Sequence, residues 1–563
     1  MDEEKPDIIA QAEAETPAET APAFGAPQEE QPAKKPKKSL YALAVILCLA
    51  VIGTATWFLF KNKDANAPIQ NQISNNQQET LALEPVEVSK LALKGNDLSD
   101  FDLAFLHLEN NQDNVIYSPL SIKYALAMLQ EGTNGNSKAQ IEALIGDYKP
   151  KAYLNSANRS LANAFFIKDD FRDNVLDSYI QALDTKYNAS VILDPLNSAD
   201  NVNSWVSDKT LGIIKNLLQD NQLIGSRFVL VNALAIDMTW QNRIQCVLAN
   251  TDIPCITYGV HYPNTNYSDS VGNYEASDGY EHDFGNKTVK YETVRIGATS
   301  NHYDLLKEIG EDQIRQTVQA AYDEWLAKAE TSEWDYDPTF NLDDYMARLG
   351  NAGFGDHKIS TDFFFLDSDS EKVFAKDLKE YDGSTLQYIS IMPKTQSLSA
   401  YINNLTAEKA NSLISNLKDI SDYNNFKDGV VTRVKGSLPL FKFNYSLGLN
   451  NDLNQLGITD IFDSSTADLT NMVEQNEQTE GIYIQDTIHK ADIEFTNDGI
   501  KAAAATAIVG GMGAAGPMSF NYNWELPVEE IDLTFDKPFL FLIRDKSTGE
   551  VWFTGTVYDP SKN

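Results

Sequence analysis

Positive charge is scarce in this chain: 45 lysines and arginines stand against 81 aspartates and glutamates, a formal net charge of −36 over 563 residues. So acidic a surface repels nucleic acid and anionic lipid and favours solubility, and no nucleic-acid partner is expected. Cysteine is scarcer still, three residues in all, which excludes a disulfide framework. Cys48 falls inside an apolar run. Cys246 and Cys255 remain, either as a small loop-closing disulfide, if they lie outside the cytoplasm, or as two free thiols. Their spacing is no zinc signature without two further ligands. There are six histidines; His261, His282, His302 and His357 lie in or beside one polar stretch and read as scattered surface residues. The G-x-S-x-G elbow, H-E-x-x-H and the P-loop are missing. "DSDSEK", Asp367 to Lys372, alternates oxygen ligands but lacks the turn glycine and distal glutamate of a calcium loop. No metal and no cofactor is expected.

What is present is a large globular repertoire. Hydrophobic residues make up 42% of the chain and aromatics 10%, ample for a sizeable core. Ser39 to Phe60, "SLYALAVILCLAVIGTATWFLF", carries no charge and is long enough to cross a bilayer as a helix. "KKPKK" precedes it, Lys34 to Lys38, while only Lys61 and Lys63 follow closely. The lysine bias predicts a single-pass cell-membrane protein with its N-terminus in the cytoplasm and the remainder extracellular or periplasmic. A cleaved signal peptide is the alternative, but the tail before the run is too long and the run exceeds a signal core. Residues 1–38 thus read as a disordered acidic tail ending in a basic stop, 39–60 as a transmembrane helix, and 61–95 as a flexible spacer.

Residues 96–561 read as one folded domain. "LSDFDLAFLHLENN" and "SPLSIKYALAMLQEGT" carry apolar residues at helical spacing, the second behind a Ser-Pro start signal. "RFVLVNALAI", Arg227 to Ile236, has the continuous apolar character of a strand buried on both faces. "STLQYISIMPK", "EIDLTFDKPFLFLIRD" and "EVWFTGTVYDP" are strand-like. Helices dominate early and strands late, so the class is α+β. Residues 246–357 differ in texture, rich in Tyr, Asn, Gly and Asp before the helical pattern of "YDLLKEIGEDQIRQTVQAAYDEWLAKAE"; they read as a subdomain inserted within the domain.

Several of these segments together resemble the serpin family, in family order. "NVIYSPLSIKYALAMLQEGTNGNSKAQI" is similar to its Ser-Pro-x-Ser turn and buried helix. "LANAFFI" and "NVNSWVSDKTLGIIKNLL" match through Asn163, Asn203, Trp205, Val206, Thr210, Gly212 and Ile214. "VLVNALAIDMTW" resembles the strand ending in a tryptophan, Trp240, and "LTFDKPFLFLI" the C-terminal signature. The resemblance covers roughly residues 96–245 and 358–561. It implies three β-sheets, about nine helices and an exposed reactive centre loop. It also implies a monomer that is not an enzyme but a suicide substrate of serine proteases, with papain-like cysteine proteases as a second target class. The cleaved loop would insert into the central sheet and trap the acyl-enzyme. By the same resemblance Ser118, Ser121, Asn232 and His489 form the polar cluster where that sheet opens, and Trp240 marks where the hinge enters.

The hinge itself fits those demands. From Gly499 the alternate residues Ile500, Ala502, Ala504 and Thr506 form one small, largely apolar strand face, while Lys501, Ala503 and Ala505 form the other. A helix is the competing reading of so many alanines, but Gly499, the β-branched residues and Gly510-Gly511 oppose it. The family usually has Glu at Asn497 and Thr or Ser at Ile500; the larger isoleucine predicts slower but not blocked insertion. Counting the usual distance from the hinge places the reactive bond at Met512, Gly513 and Ala514, small residues suited to an elastase-like or subtilisin-like protease. Two other functions are carried forward: a non-inhibitory carrier, chaperone or adhesion module, and an independent enzyme within 246–357.

Overall fold

The computed structural model describes residues 98–562 apart from 147, 243, 245–280, 301–307, 332–335, 352–362, 424–429, 501–517, 521 and 523–527, all within one compact unit, Ala82–Asn563. The described chain opens with α1 (Asp100–Leu108), β1 (Val115–Tyr117), α2 (Pro119–Gly132), α3 (Gly135–Ile145), β2 (Arg159–Lys168), α4 (Asp177–Tyr187), β3 (Ser190–Asp194) and α5 (Asp200–Lys209). Strands β4 (Phe228–Ile236), β5 (Met238–Thr239), β6 (Glu281–Phe284), β7 (Lys287–Lys290) and β8 (Thr293–Thr299) follow, then α6 (Glu311–Ala329), β9 (Tyr336–Asp337) and α7 (Leu342–Asn351). Next come β10 (Phe363–Asp367), β11 (Glu371–Asp377), β12 (Leu386–Pro393), α8 (Leu398–Ile402), α9 (Ala407–Ser415), β13 (Val431–Pro439), β14 (Phe441–Gly448) and α10 (Leu449–Gln455). The chain ends with β15 (Ile488–Phe495), β16 (Gly499–Ile500), β17 (Met518–Ser519), β18 (Val528–Asp532), β19 (Phe539–Asp545) and β20 (Val551–Val557). The α+β class holds, with ten helices among the described residues where about nine were expected.

Three layers carry the architecture. The first is a six-stranded antiparallel sheet in the order β1-β20-β19-β12-β11-β10, whose β12 and β20 are buried at every position. The second is a three-stranded sheet, β18-β13-β8. In it Thr293–Thr299, from within 246–357, pairs antiparallel to β13 while β18 runs parallel on the other side. The third layer is in two halves, β3-β2-β4 and β14-β15-β16-β5. Only Asp237 separates β4 from β5 in the chain, so the halves are joined at one end.

Local sequence explains the elements that flank this third layer. Ser118 caps α2, its Oγ accepting from the Ser121 N–H at 3.0 Å, with Pro119 in the first turn where its missing N–H costs nothing. Helix α5 packs Val202 and Val206 onto Phe166, Val231 and Ala233 of β2 and β4, with Trp205 edge-on to Phe166 at 5.9 Å. Asn203 then fastens the chain beyond α5, its Oδ1 accepting from the N–H groups of Leu217 and Leu218 at 2.8 and 2.9 Å. The main core is continuous through all three layers. A separate small core lies between α6 and α7.

Candidate functional site: the hinge and the slot below it

Gly499 and Ile500 sit between two strands. Gly499 pairs with Thr239 and Ile500 with Met238 on one side, and Ile500 pairs with Phe495 on the other, all antiparallel. The approach is close enough that a Cβ on Gly499 would lie 2.2 Å from the Met238 carbonyl oxygen, so this position requires glycine. Thr496 closes the tight return from β15: its Oγ1 accepts from the Asp498 and Gly499 N–H groups at 3.2 and 3.1 Å and donates to the Gly499 carbonyl at 2.9 Å. Trp240 locks the same corner. Its Nε1 donates to the Thr496 carbonyl and its backbone N–H to the Asp498 carbonyl, each at 2.9 Å, and its ring lies edge-on to Tyr388 and Phe495. The isoleucine that stands where a smaller residue is usual is 2% exposed and belongs to the main core.

Direction follows from the pairing. Because β16 is antiparallel to both β5 and β15, a strand that extended this register beyond Ile500 would lie between β4 and β15. Among the described residues β4 and β15 are not hydrogen-bonded to each other. Instead a cavity of about 340 Å³ opens there, lined by Phe228 to Asn232 on one side and Ile488 and His489 on the other, with Ser121 and Leu126 of α2 in its wall. Among the described residues the apolar β4 and the alternating β15 thus stand with facing edges not paired to each other, a template for one more strand.

The polar residues expected at the opening are brought together. The Ser118 N–H donates to His489 Nε2 at 2.9 Å, which leaves the ring proton on Nδ1. Burial holds the His489 pKa down to about 4, so the ring is neutral at ordinary pH. Ser121 Oγ donates to Asn232 Oδ1. Asn232 passes the chain on, its Nδ2 donating to Asn163 Oδ1 at 2.6 Å, and Asn163 Nδ2 donates to the Tyr187 carbonyl at 2.8 Å. Asn163 and Thr496 are members that the sequence reading did not assign. The register places Asn163 directly opposite Asn232, which no sequence spacing reveals. Thr496 carried a signal in its place before Asn-Asp-Gly, a turn composition.

Lys501 to Thr506, the reactive bond at Met512, Gly513 and Ala514, Cys246 and Cys255, and the apolar run 39–60 lie outside the described residues. Among the described residues no helix is long and apolar enough to cross a membrane, and no cluster of metal-binding side chains occurs. The oxygens of Asp367 and Glu371 face cations of the protein itself, Lys394 at 3.0 Å and Lys409 at 2.7 Å. Beyond the loop, Met518 and Ser519 pair in parallel with Tyr336 and Asp337.

A protein-family model described as serpin (serine protease inhibitor) matches residues 99–250 and 362–560. An uncharacterized serpin-like protein of Methanosarcina acetivorans is 23% identical, covering 83% of this chain and 85% of its own length. The human leukocyte elastase inhibitor is 24% identical, covering 82% and 97%. Among solved structures, the thermophilic serpin tengpin in its native state superposes with a TM-score of 0.52 at 21% identity, covering 88% of this chain and 97% of its own. Thyroxine-binding globulin in complex with thyroxine reaches 0.50 at 15%, covering 82% and 98%. These structural likenesses speak to the fold; the relatives' names span protease inhibition and thyroxine binding.

Proposed function

Because the chain belongs to the serpin family, we propose that it is a suicide-substrate inhibitor of serine proteases that traps the acyl-enzyme by drawing its cleaved loop into the central layer. The observation that carries this reading is that Ile500 is already paired on both sides, and Gly499 on one, at the head of the cavity between β4 and β15, in a register that points along it. Continuing that register sets Ala502 beside Ile493 and Ala504 beside Ala491, both on the buried face of β15. Thr506 then falls between Asn232 and His489, where its hydroxyl meets the polar cluster rather than apolar wall. About eight residues forming two ladders, at ~0.5–1.5 kcal/mol net per hydrogen bond, gain on the order of 10 kcal/mol.

The intact chain withholds that gain. Ile500 is held at one end of the loop and Met518 beside β9 at the other, and cutting a bond between the two anchors frees the amino-side arm to enter the slot. The energy is thus stored behind a covalent barrier. The bait is the stretch around Met512, Gly513 and Ala514, and its small side chains suit an elastase-like or subtilisin-like protease.

Mixing the protein with elastase, subtilisin and chymotrypsin tests this. An SDS-stable covalent complex is expected with at least one of them. A large rise in melting temperature is expected once the loop is cut. Cleavage without complex at any ratio, and without that rise, would favour a carrier or adhesion role and overturn inhibition. Residues 39–60 are proposed as the anchor that holds this domain outside the cell membrane; release of the full chain from membranes by alkaline carbonate would contradict it.

A further inference from the structure

Residues 251–361 fall outside the two stretches that match the family model. Their two helices, packed on each other, hold one side chain from the far end of the reactive loop. Phe520 lies 4.8 Å from the ring of Phe340, 5.2 Å from Tyr322 and 5.6 Å from Trp325. Tyr322 and Phe340 are 4.7 Å apart, and the Tyr322 hydroxyl donates to the Pro338 carbonyl at 2.7 Å, setting the box wall. Below the box, Ile314 and Val318 of α6 and Tyr345 and Met346 of α7 are buried together, with Phe520, Tyr522 and Val528 packed against them. Arg315 ties the helices, reaching Asp343 at 2.7 Å and Glu311 at 3.0 Å. The backbone is engaged as well, through the Met518–Tyr336 and Ser519–Asp337 pairs.

We infer that α6 and α7 form a clamp on the carboxyl-side arm of the reactive loop, and that Phe520 is its key and thereby a determinant of which bond a protease can cut. The inference rests on the reading of residues 501–517 as bait. A protease takes its substrate as an extended strand, needing both the backbone edge and the P1 side chain free. At 518–519 the backbone is paired with β9, and the half-buried Phe520 ring is held by three aromatic neighbours, so both are engaged. Phe520 and Tyr522 are the aromatic P1 residues a chymotrypsin-like enzyme prefers. Left loose they would divert cleavage beyond the stretch that can insert. The clamp withholds them and leaves the small residues and Met512 as the accessible bait. The main three-layer core does not use this aromatic box, so α6 and α7, unlike β8 of the same insertion, serve the loop rather than that core.

The test is a cleavage map of the full chain with chymotrypsin, read by mass spectrometry at early times. Wild type should be cut within 501–517 and not after Phe520 or Tyr522. Phe340→Ala and Trp325→Ala should each raise cutting after Phe520 and Tyr522 at least tenfold, while elastase cutting within 501–517 keeps its rate. Phe340→Leu, which refills the box, should restore most protection. Phe520→Ala leaves the helices intact and should expose the bond after Tyr522, so a misfolded helix variant does not remove the test. Wild type cut as fast after Phe520 or Tyr522 as within 501–517, or folded variants with an unchanged map, would overturn the clamp. The map is read whether or not a covalent complex forms: the expected map without a complex upholds the clamp and sinks inhibition, and the reverse result does the opposite.

Discussion

The six-stranded sheet and the central layer each contain a strand of nearly continuous apolar character, β19 and β4, but are finished differently. In the first, β19 is hydrogen-bonded along its length to β12 and β20, and Phe541 stacks over Tyr388 and Phe441 with no exposure. In the second, among the described residues, β4 and β15 are linked through the two residues of β16 and β5 at one end and line a cavity below it. Composition does not separate "FLFLIRD" from "FVLVNALAI". The difference is whether a neighbour is in place. One sheet has both neighbours of its inner strands in place, while in the other, among the described residues, β4 and β15 are not paired with each other, which is where the proposed insertion would occur.

That contrast can be broken at its firmest point first. Phe541→Ala, in the completed sheet, should cost about 3–5 kcal/mol in denaturant unfolding, because a fully enclosed ring leaves a cavity that rigid neighbours cannot close. A cost below ~1 kcal/mol would show the sheet to be less finished than its pairing implies.

Acid sharpens the contrast next. His489 has its folded pKa lowered to about 4 from 6.5, so the unfolded chain binds the proton first as pH falls. Its stability contribution is whole above the unfolded value, is lost between pH 6.5 and 4, and changes no further below that; the full loss is roughly 3 kcal/mol. Unfolding across that range should show a decline that His489→Asn flattens. Hydrogen exchange should place the loosening in β15 while β19 stays protected.

Smaller effects concern the joint between the halves. Gly499→Ala drives a Cβ against the Met238 carbonyl and should displace β16 at a cost of ~1–3 kcal/mol, seen as faster amide exchange at Ile500 and slower insertion after cleavage. Ile500→Val removes one methyl from a buried site and should cost about 0.5–1.5 kcal/mol in melting experiments. If instead it speeds insertion with no loss of stability, the isoleucine restrains the hinge rather than seating it.

Much of this was legible before any coordinates. The strand at Arg227 to Ile236, the Ser-Pro helix start, the alternation from Gly499 and the polar residues Ser118, Ser121, Asn232 and His489 each carry local or motif signals, and the described ones stand together in the structure. Less visible was the behaviour of 246–357. Its texture suggested one inserted piece, yet Thr293–Thr299 is an edge strand of the three-stranded sheet and α6–α7 hold the loop's far arm. Edge strands of mixed composition carry weak periodicity, and a contact between Phe340 and Phe520 spans a separation that no local pattern encodes.

The sequence by itself determined the class and the family, because strand alternation, caps and motif residues act within a few residues of one another. Only the tertiary structure decided that, among the described residues, β4 and β15 are not paired with each other, that Ile500 is already seated, and that Phe520 packs against a distant helix pair. Those outcomes depend on which edges find partners, and pairing between segments hundreds of residues apart is set by the packing of the whole chain.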